Sequence, residues 1–179
     1  MIVRAAGPQD YEPMWAIYAH HVLSGLGSFE ATAPDAEDFA ARMTAIAGAT
    51  LPCLVAESGG AILGYGYASA FRPRIGYRYT VEDSVYVAPG HLGKGVGRAL
   101  LIGIVERCTA MNLRQMIAFI GDSGNAPSVA LHRACGFEMA GVLRSVGFKH
   151  GRWADVVVMQ RPLAAGDAEP PQGPGWARD

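Results

Sequence analysis

Val85-Tyr86-Val87-Ala88-Pro89-Gly90-His91-Leu92-Gly93-Lys94-Gly95-Val96-Gly97-Arg98 is the stretch on which the reading of this chain turns. It opens as an apolar strand, breaks at Pro89-Gly90, and passes glycines at 93, 95 and 97 before a helical stripe of Val96, Leu100, Ile104 and Cys108. The first N–H groups of a helix lack partners inside it and its dipole end is positive, so such a turn can hold an anion. Glycine lets the main chain approach a phosphate closely, and Lys94 and Arg98 add charge. Two familiar phosphate patterns fail here. A P-loop needs Gly-x-x-x-x-Gly-Lys-Ser/Thr, which the chain lacks, and a dinucleotide fingerprint needs glycine where Arg98 stands.

Upstream of that turn, Ile2–Ala5 reads as an opening strand. Pro8 then starts a helical segment with Tyr11, Trp15, Tyr18 and Val22 on one stripe. A second helix is predicted from Pro34, with Asp35, Glu37 and Asp38 at its positive end and Phe39, Met43 and Ile46 on its apolar face. Strands are predicted at Leu51–Glu57, Ile62–Phe71 and Tyr77–Val87, the first two joined by a tight Gly59-Gly60 turn. Downstream come a strand at Gln115–Ile120, a helix over Asn125–Cys135, and strands at Phe137–Lys149 and Trp153–Gln160. The order β-α-α-β-β-β-α-β-α-β-β is that of a mixed α/β domain with a central sheet.

Composition bounds the function. The chain has 179 residues, half of them apolar and 17% charged, with a net charge of −1. An average domain carries about 25% charge, so this chain is neither disordered nor a basic nucleic-acid binder. No apolar run approaches the roughly 20 residues of a membrane helix. Met1-Ile2-Val3-Arg4 lacks the features of a signal peptide. Cys53, Cys108 and Cys135 are odd in number and have no metal or redox spacing, which predicts buried thiols in a cytoplasmic protein. Residues 1–163 read as one domain, and the Pro- and Gly-rich residues 164–179 as a disordered tail.

A third phosphate pattern does fit. Leu92-Gly93-Lys94-Gly95-Val96-Gly97 resembles Gln/Arg-x-x-Gly-x-Gly/Ala, the pyrophosphate turn for coenzyme A in the GNAT superfamily of N-acetyltransferases, with Leu92 departing at the first position. Asn125-Ala126-Pro127-Ser128-Val129-Ala130-Leu131-His132-Arg133-Ala134-Cys135-Gly136-Phe137 resembles the late motif of the same superfamily, Asn-x-x-Ala/Ser-x-x-Leu-Tyr-x-x-x-Gly-Phe, with His132 in place of Tyr. Thr80-Val81-Glu82-Asp83-Ser84-Val85-Tyr86-Val87 and Val146-Gly147-Phe148-Lys149-His150-Gly151-Arg152-Trp153 are similar to the phosphinothricin and methionine sulfoximine acetyltransferases. The resemblance implies the GNAT fold: a mixed, mostly antiparallel sheet of about seven strands, splayed at an acetyl-CoA cleft and flanked by about four helices. It also implies a homodimer, acetyl-CoA as co-substrate with no metal, and a small amino-acid acceptor, with no nucleic-acid or membrane partner.

Acetyl transfer to an amine needs a base, because an ammonium is mostly protonated at neutral pH. Glu82 is the candidate, by match to the family's acidic position. Strand alternation puts Glu82, Ser84 and Tyr86 on one face and Asp83, Val85 and Val87 on the other, unless a bulge common in this superfamily shifts the parity. His132 stands where the superfamily's acid stands, as a proton donor or only a cofactor contact. The resemblance assigns the cofactor to Val85, Tyr86, Val87, Gly93, Lys94, Gly95, Val96, Gly97, Arg98, Asn125 and Ser128. His20, His21 and His91 receive no role.

For the acceptor, Arg72 and Arg74 sit with Tyr77 before the catalytic strand, and Lys149 and His150 cluster late beside Arg152. Arginine holds a carboxylate or phosphinate through paired donors, so these cations could clamp an acidic amino acid. Phe29 is expected to be an apolar wall of the pocket and Glu30 a contact for the ammonium. Two alternatives stay open: the same fold acting on a polyamine, protein N-terminus or aminoglycoside, and a non-catalytic acyl-CoA sensor.

Overall fold

A computed structural model describes residues 1–176. Its elements are β1 (Ile2–Ala5), α1 (Tyr11–Ser24), α2 (Ala36–Gly48), β2 (Cys53–Ser58), β3 (Ala61–Ala70), β4 (Thr80–Val87), α3 (Val96–Ala110), β5 (Gln115–Gly121), α4 (Ala126–Ala134), β6 (Glu138–Lys149) and β7 (Arg152–Pro162). Single 3₁₀ turns precede α1 at Pro8–Asp10 and β4 at Ile75–Tyr77. The seven strands form one sheet in the order β1-β2-β3-β4-β5-β7-β6, antiparallel everywhere except β4 against β5. This is the expected architecture, and the differences lie at the ends of elements.

Strand β4 begins at Thr80 and not at Tyr77, because the 3₁₀ turn occupies the earlier residues. Helix α2 starts at Ala36, two residues after Pro34: Asp35 is its N-cap, and its carboxylate accepts from the Asp38 N–H at 2.8 Å. On α1 the buried face is Met14, Ile17, Tyr18 and Val22, a rotation from the expected stripe. Trp15 is half-buried, and its indole N–H donates to the Pro34 carbonyl at 2.8 Å.

The sheet buries both faces. On one, α3 contributes Leu100, Leu101, Ile104, Val105 and Cys108, packed with Val81, Met116, Phe137 and Met159. On the other, α1 and α2 cover Val55, Tyr65 and the neighbouring residues of β2 and β3. Truncating a fully buried leucine such as Leu100 to alanine costs about 2–5 kcal/mol. The register of β4 against β3 is unbroken from Val81 to Val87, so the expected bulge is absent from this pairing and the alternation along β4 holds. Val81, Val85 and Val87 pack toward α3, and Tyr86 toward α1.

Residues 164–176, read from sequence as part of a tail without structure, lie back against the sheet's end. The Trp176 indole donates to the Tyr77 and Thr80 carbonyls at 3.1 and 3.0 Å, and Tyr79 donates to the Gly173 carbonyl at 2.6 Å. The rest of that expectation, 177–179, falls outside the described residues. All three cysteines are free and buried. Among the described residues no helix is long and apolar enough to cross a membrane, and no group of His, Cys, Asp and Glu is placed to hold a metal.

Candidate active site

The site is created where two parallel strands part. β4 pairs with β5 only from Thr80 to Glu82, opposite Gln115 to Ile117, although both strands continue well beyond. Antiparallel neighbours bond at alternate residues. Ala88 donates to the Leu63 carbonyl at 2.9 Å, so Tyr86 and Ser84 also bond toward β3, and Val85 and Val87 turn their main-chain groups into the gap. That gap opens into a cavity of about 1270 Å³ running from the glycine turn to the end of the β6–β7 hairpin. Its size exceeds the range of about 300–1,000 Å³ usual for a single small ligand, leaving room for a long cofactor and an acceptor together.

At one end stands the turn before α3. Gly93 and Gly95 have φ of +73° and +81°, a region closed to other residues without strain. Gly95 is the N-cap of α3, so the first amides of the helix face the cavity alongside Arg98. Leu92, Gly93, Gly95, Val96, Gly97 and Arg98 line the wall, whereas Lys94 is exposed and does not. Asn125 lines it too, with its side-chain oxygen accepting from the Ser128 N–H at 3.3 Å as the cap of α4, which leaves its amide NH₂ for a ligand. These features suit a diphosphate joined to an amide-bearing arm, which fits acetyl-CoA.

At the centre lie three acid–base groups. Glu82 is half-buried, and its pKa is raised by burial, then by the charge of Asp83, against an opposing pull from Arg72. On the opposite face of β4, His132 is only 5% exposed. Its Nδ1 bonds the Ser128 carbonyl at 2.7 Å and its Nε2 bonds Asp83 Oδ2 at 3.0 Å. Both partners are oxygen atoms, so both ring nitrogens are engaged. Burial by itself lowers the His132 pKa, but the hydrogen bond and charge of Asp83, with the Ser128 carbonyl, outweigh it and the net shift is upward. The other Asp83 oxygen, Oδ1, is buried without a hydrogen-bond partner. His132 is therefore held on both sides.

His21, which carries no expected role, donates from Nε2 to the Val87 carbonyl at 2.8 Å from the cavity wall. Burial chiefly lowers its pKa, so it acts there as a neutral donor. One of the four main-chain groups expected to meet the cofactor arm thus already has a partner. Tyr86 reaches the wall, but its ring stacks on Tyr65 with centroids 5.1 Å apart.

The acceptor end is bounded by Leu26, Gly27, Ser28 and Phe29 from the loop after α1, by Phe119 from β5, and by His150 and Arg152. Phe29 and His150, two of the residues expected at the acceptor, line the cavity. The others do not line it. Glu30 points away and pairs with Arg42 at 2.5 Å. Lys149 is 5% exposed and off the wall, its ammonium donating to two main-chain carbonyls. Arg74 and Tyr77 are exposed beyond the cavity. Arg72 lies over the Phe71 ring, 5.0 Å from its centroid, outside the wall but close enough for its charge to act on Glu82. Arg152, in the late basic cluster, does line the cavity, with Asp122 bound at 2.6 Å. No local pattern could have paired Asp83 with His132, which is 49 residues away.

Residues 15–137 match the model of the Acetyltransferase (GNAT) family. The chain is 54% identical over 170 residues to a phosphinothricin N-acetyltransferase of Alcaligenes faecalis, covering 95% of this chain and 86% of that protein. It is 42% identical over 162 residues to an L-methionine sulfoximine/L-methionine sulfone acetyltransferase of Pseudomonas paraeruginosa, covering 90% and 94%. The fold superposes with a TM-score of 0.92 on a GNAT-superfamily phosphinothricin acetyltransferase from Sinorhizobium meliloti solved with AcCoA, at 47% identity, covering 96% of this chain and 92% of that one.

Proposed function

The chain belongs to the acetyltransferase (GNAT) family, and from that premise we propose that it acetylates the α-amine of a small glutamate-like amino acid of the phosphinothricin or methionine sulfoximine type. The observation that carries this reading is a single cavity with the anion-binding glycine turn at one end and the half-buried Glu82 at its centre.

Acetyl-CoA supplies the acetyl group as a thioester. The α3 N-terminus and Arg98 hold its diphosphate, and the main chain of Val85 and Val87 aligns the arm between the parted strands. A main-chain N–H in that gap polarises the carbonyl to be attacked. Glu82 takes a proton from the acceptor ammonium, directly or through one water, freeing the nitrogen lone pair. Its raised pKa makes it a better base than an exposed carboxylate. The freed amine attacks the thioester carbonyl, the C–N bond forming as the C–S bond breaks, and the second nitrogen proton passes through water to the departing thiolate, whose ordinary thiol pKa is near 8.5. His132 then serves mainly to hold Asp83 and the α4 end of the cleft, since both its ring nitrogens are engaged.

Acceptor selectivity follows from charge. On this reading Arg152, paired with Asp122, and His150 at the acceptor end, with Arg72 near Glu82, supply the donors that receive the anionic side chain of the acceptor. A homodimer is part of this reading, supported by the exposed apolar residues Val142, Leu143, Val146, Phe148 and Trp153 on the edge strand β6 and its partner β7. So is a cytoplasmic setting, which suits three free thiols. The test is thiol release from acetyl-CoA against a panel of phosphinothricin, methionine sulfoximine, methionine sulfone, common amino acids and polyamines. Turnover with the glutamate analogues is expected, and turnover confined to polyamines refutes the acceptor assignment.

A further inference from the structure

Lys149 looks in sequence like one more cation for the acceptor's anionic group. The structure gives it a different task. Its Nζ donates to the Val22 carbonyl at 2.6 Å and to the Ser28 carbonyl at 2.7 Å, from a position 5% exposed. Val22 lies in the last turn of α1, whose final carbonyls have no partner within the helix and form its negative end. Ser28 belongs to the loop that walls the acceptor end of the cavity. One ammonium therefore ties both ends of the segment carrying Leu26 and Gly27, and fixes the point from which Phe29 projects.

A second contact on the same strand acts on the same loop. Gly147 lies two residues before Lys149 on β6, on the same face. A Cβ built on Gly147 would clash with the edge of the Phe29 ring, so the absence of a side chain there is what lets the ring pack against the strand. The hairpin tip then divides its labour. His150 and Arg152 reach the cavity, while Lys149 turns the other way and never meets it.

We propose that Lys149 is a positioning residue that sets the acceptor wall by bridging the Val22 and Ser28 carbonyls, seating Phe29 over Gly147, and that it makes no contact with the acceptor. The proposal rests on the acceptor end of the cavity being where the amino acid binds. A direct anion clamp would discriminate between acceptors by charge. A brace changes the pocket for every acceptor alike.

The experiment compares wild type, Lys149→Met, Lys149→Arg and Gly147→Ala. It measures steady-state kinetics with phosphinothricin and with methionine sulfone, acetyl-CoA affinity by calorimetry, and amide hydrogen exchange over residues 23–30. Losing a charged donor to two buried carbonyls is expected to raise the KM of both acceptors in Lys149→Met by a similar factor, about tenfold or more, with kcat and acetyl-CoA affinity nearly unchanged. Exchange at 23–30 rises by about the same factor. Lys149→Arg, which keeps the charge and the donors, recovers most of the loss. Gly147→Ala raises both KM values with Lys149 intact. A KM increase confined to phosphinothricin, or exchange at 23–30 equal to wild type, overturns the proposal. Unchanged acetyl-CoA affinity separates these outcomes from misfolding. A wild type that turns over neither acceptor refutes the acceptor reading instead, and the exchange measurement then still decides the brace.

Discussion

Gly121→Ala is the sharpest perturbation of the proposed acceptor site that leaves every charged group in place. Gly121 ends β5 on the cavity wall, and a methyl group there would collide with the Leu26 carbonyl oxygen. The same methyl would stand 3.1 Å from the Leu26 carbonyl carbon and 3.6 Å from Gly27 Cα. These are backbone atoms, so no side-chain rotation relieves the overlap, and the loop has to retreat by about 1 Å to reach ordinary contact. A displacement of about 1 Å at a positioning element can cost about 100-fold in rate, equivalent to about 2.7 kcal/mol at the transition state. The strain of overpacking adds a stability loss of about 1–3 kcal/mol. For a domain of this length that lowers Tm by about 2–4 °C for each kcal/mol. Steady-state kinetics with phosphinothricin should therefore show kcat/KM down by about two orders of magnitude. Calorimetry should find acetyl-CoA binding unchanged, because the glycine turn lies at the far end of the cavity. If Gly121→Ala retains acceptor kcat/KM within a factor of about two, the 26–29 loop does not form the acceptor wall and the reasoning fails.

Other outcomes follow from the same geometry. Glu82→Gln should lower kcat by about 10²–10⁴ while acetyl-CoA affinity stays near wild type; stopped turnover together with lost binding would point to a folding defect. The acid limb of the wild-type pH profile should lie above the ordinary glutamate value of 4.5, since Glu82 must be deprotonated to act and its pKa is raised. Asp83→Asn removes a like charge that contributes to that shift, so the limb should move to lower pH, and a move upward would contradict the assignment. Arg98→Ala should weaken acetyl-CoA by about tenfold but leave the KM of acetyl-pantetheine, which has no diphosphate, unchanged; equal losses would remove Arg98 from the diphosphate site. Asp10, whose carboxylate accepts from Arg4 at 2.7 and 2.8 Å and from the Gly7 N–H at 2.8 Å, has a pKa lowered chiefly by the Arg4 bond. Its stabilisation is present above the unfolded value near 3.8 and is lost as pH falls through the folded one, so the Tm gap between wild type and Asp10→Asn should close in acid.

The sequence alone determined what depends on neighbours along the chain. The alternation of β4, the stripe of α3, the acidic start of α2 and the glycine turn each arise within a few residues, where period, dipole and φ preference act directly. With them came the fold and the cofactor end of the cavity. Side-chain partners across the sheet were decided only by the tertiary structure. Glu30 and Lys149 carry the charges an acceptor would need, but the path of the loop after α1 gives the one to Arg42 and the other to the Val22 and Ser28 carbonyls. His21 looked idle until α1 crossed the end of β4 and brought it to the Val87 carbonyl. A charge in sequence states what a side chain can bind; which group it does bind depends on contacts tens to more than a hundred residues away, and only closure of the sheet and its loops fixes those.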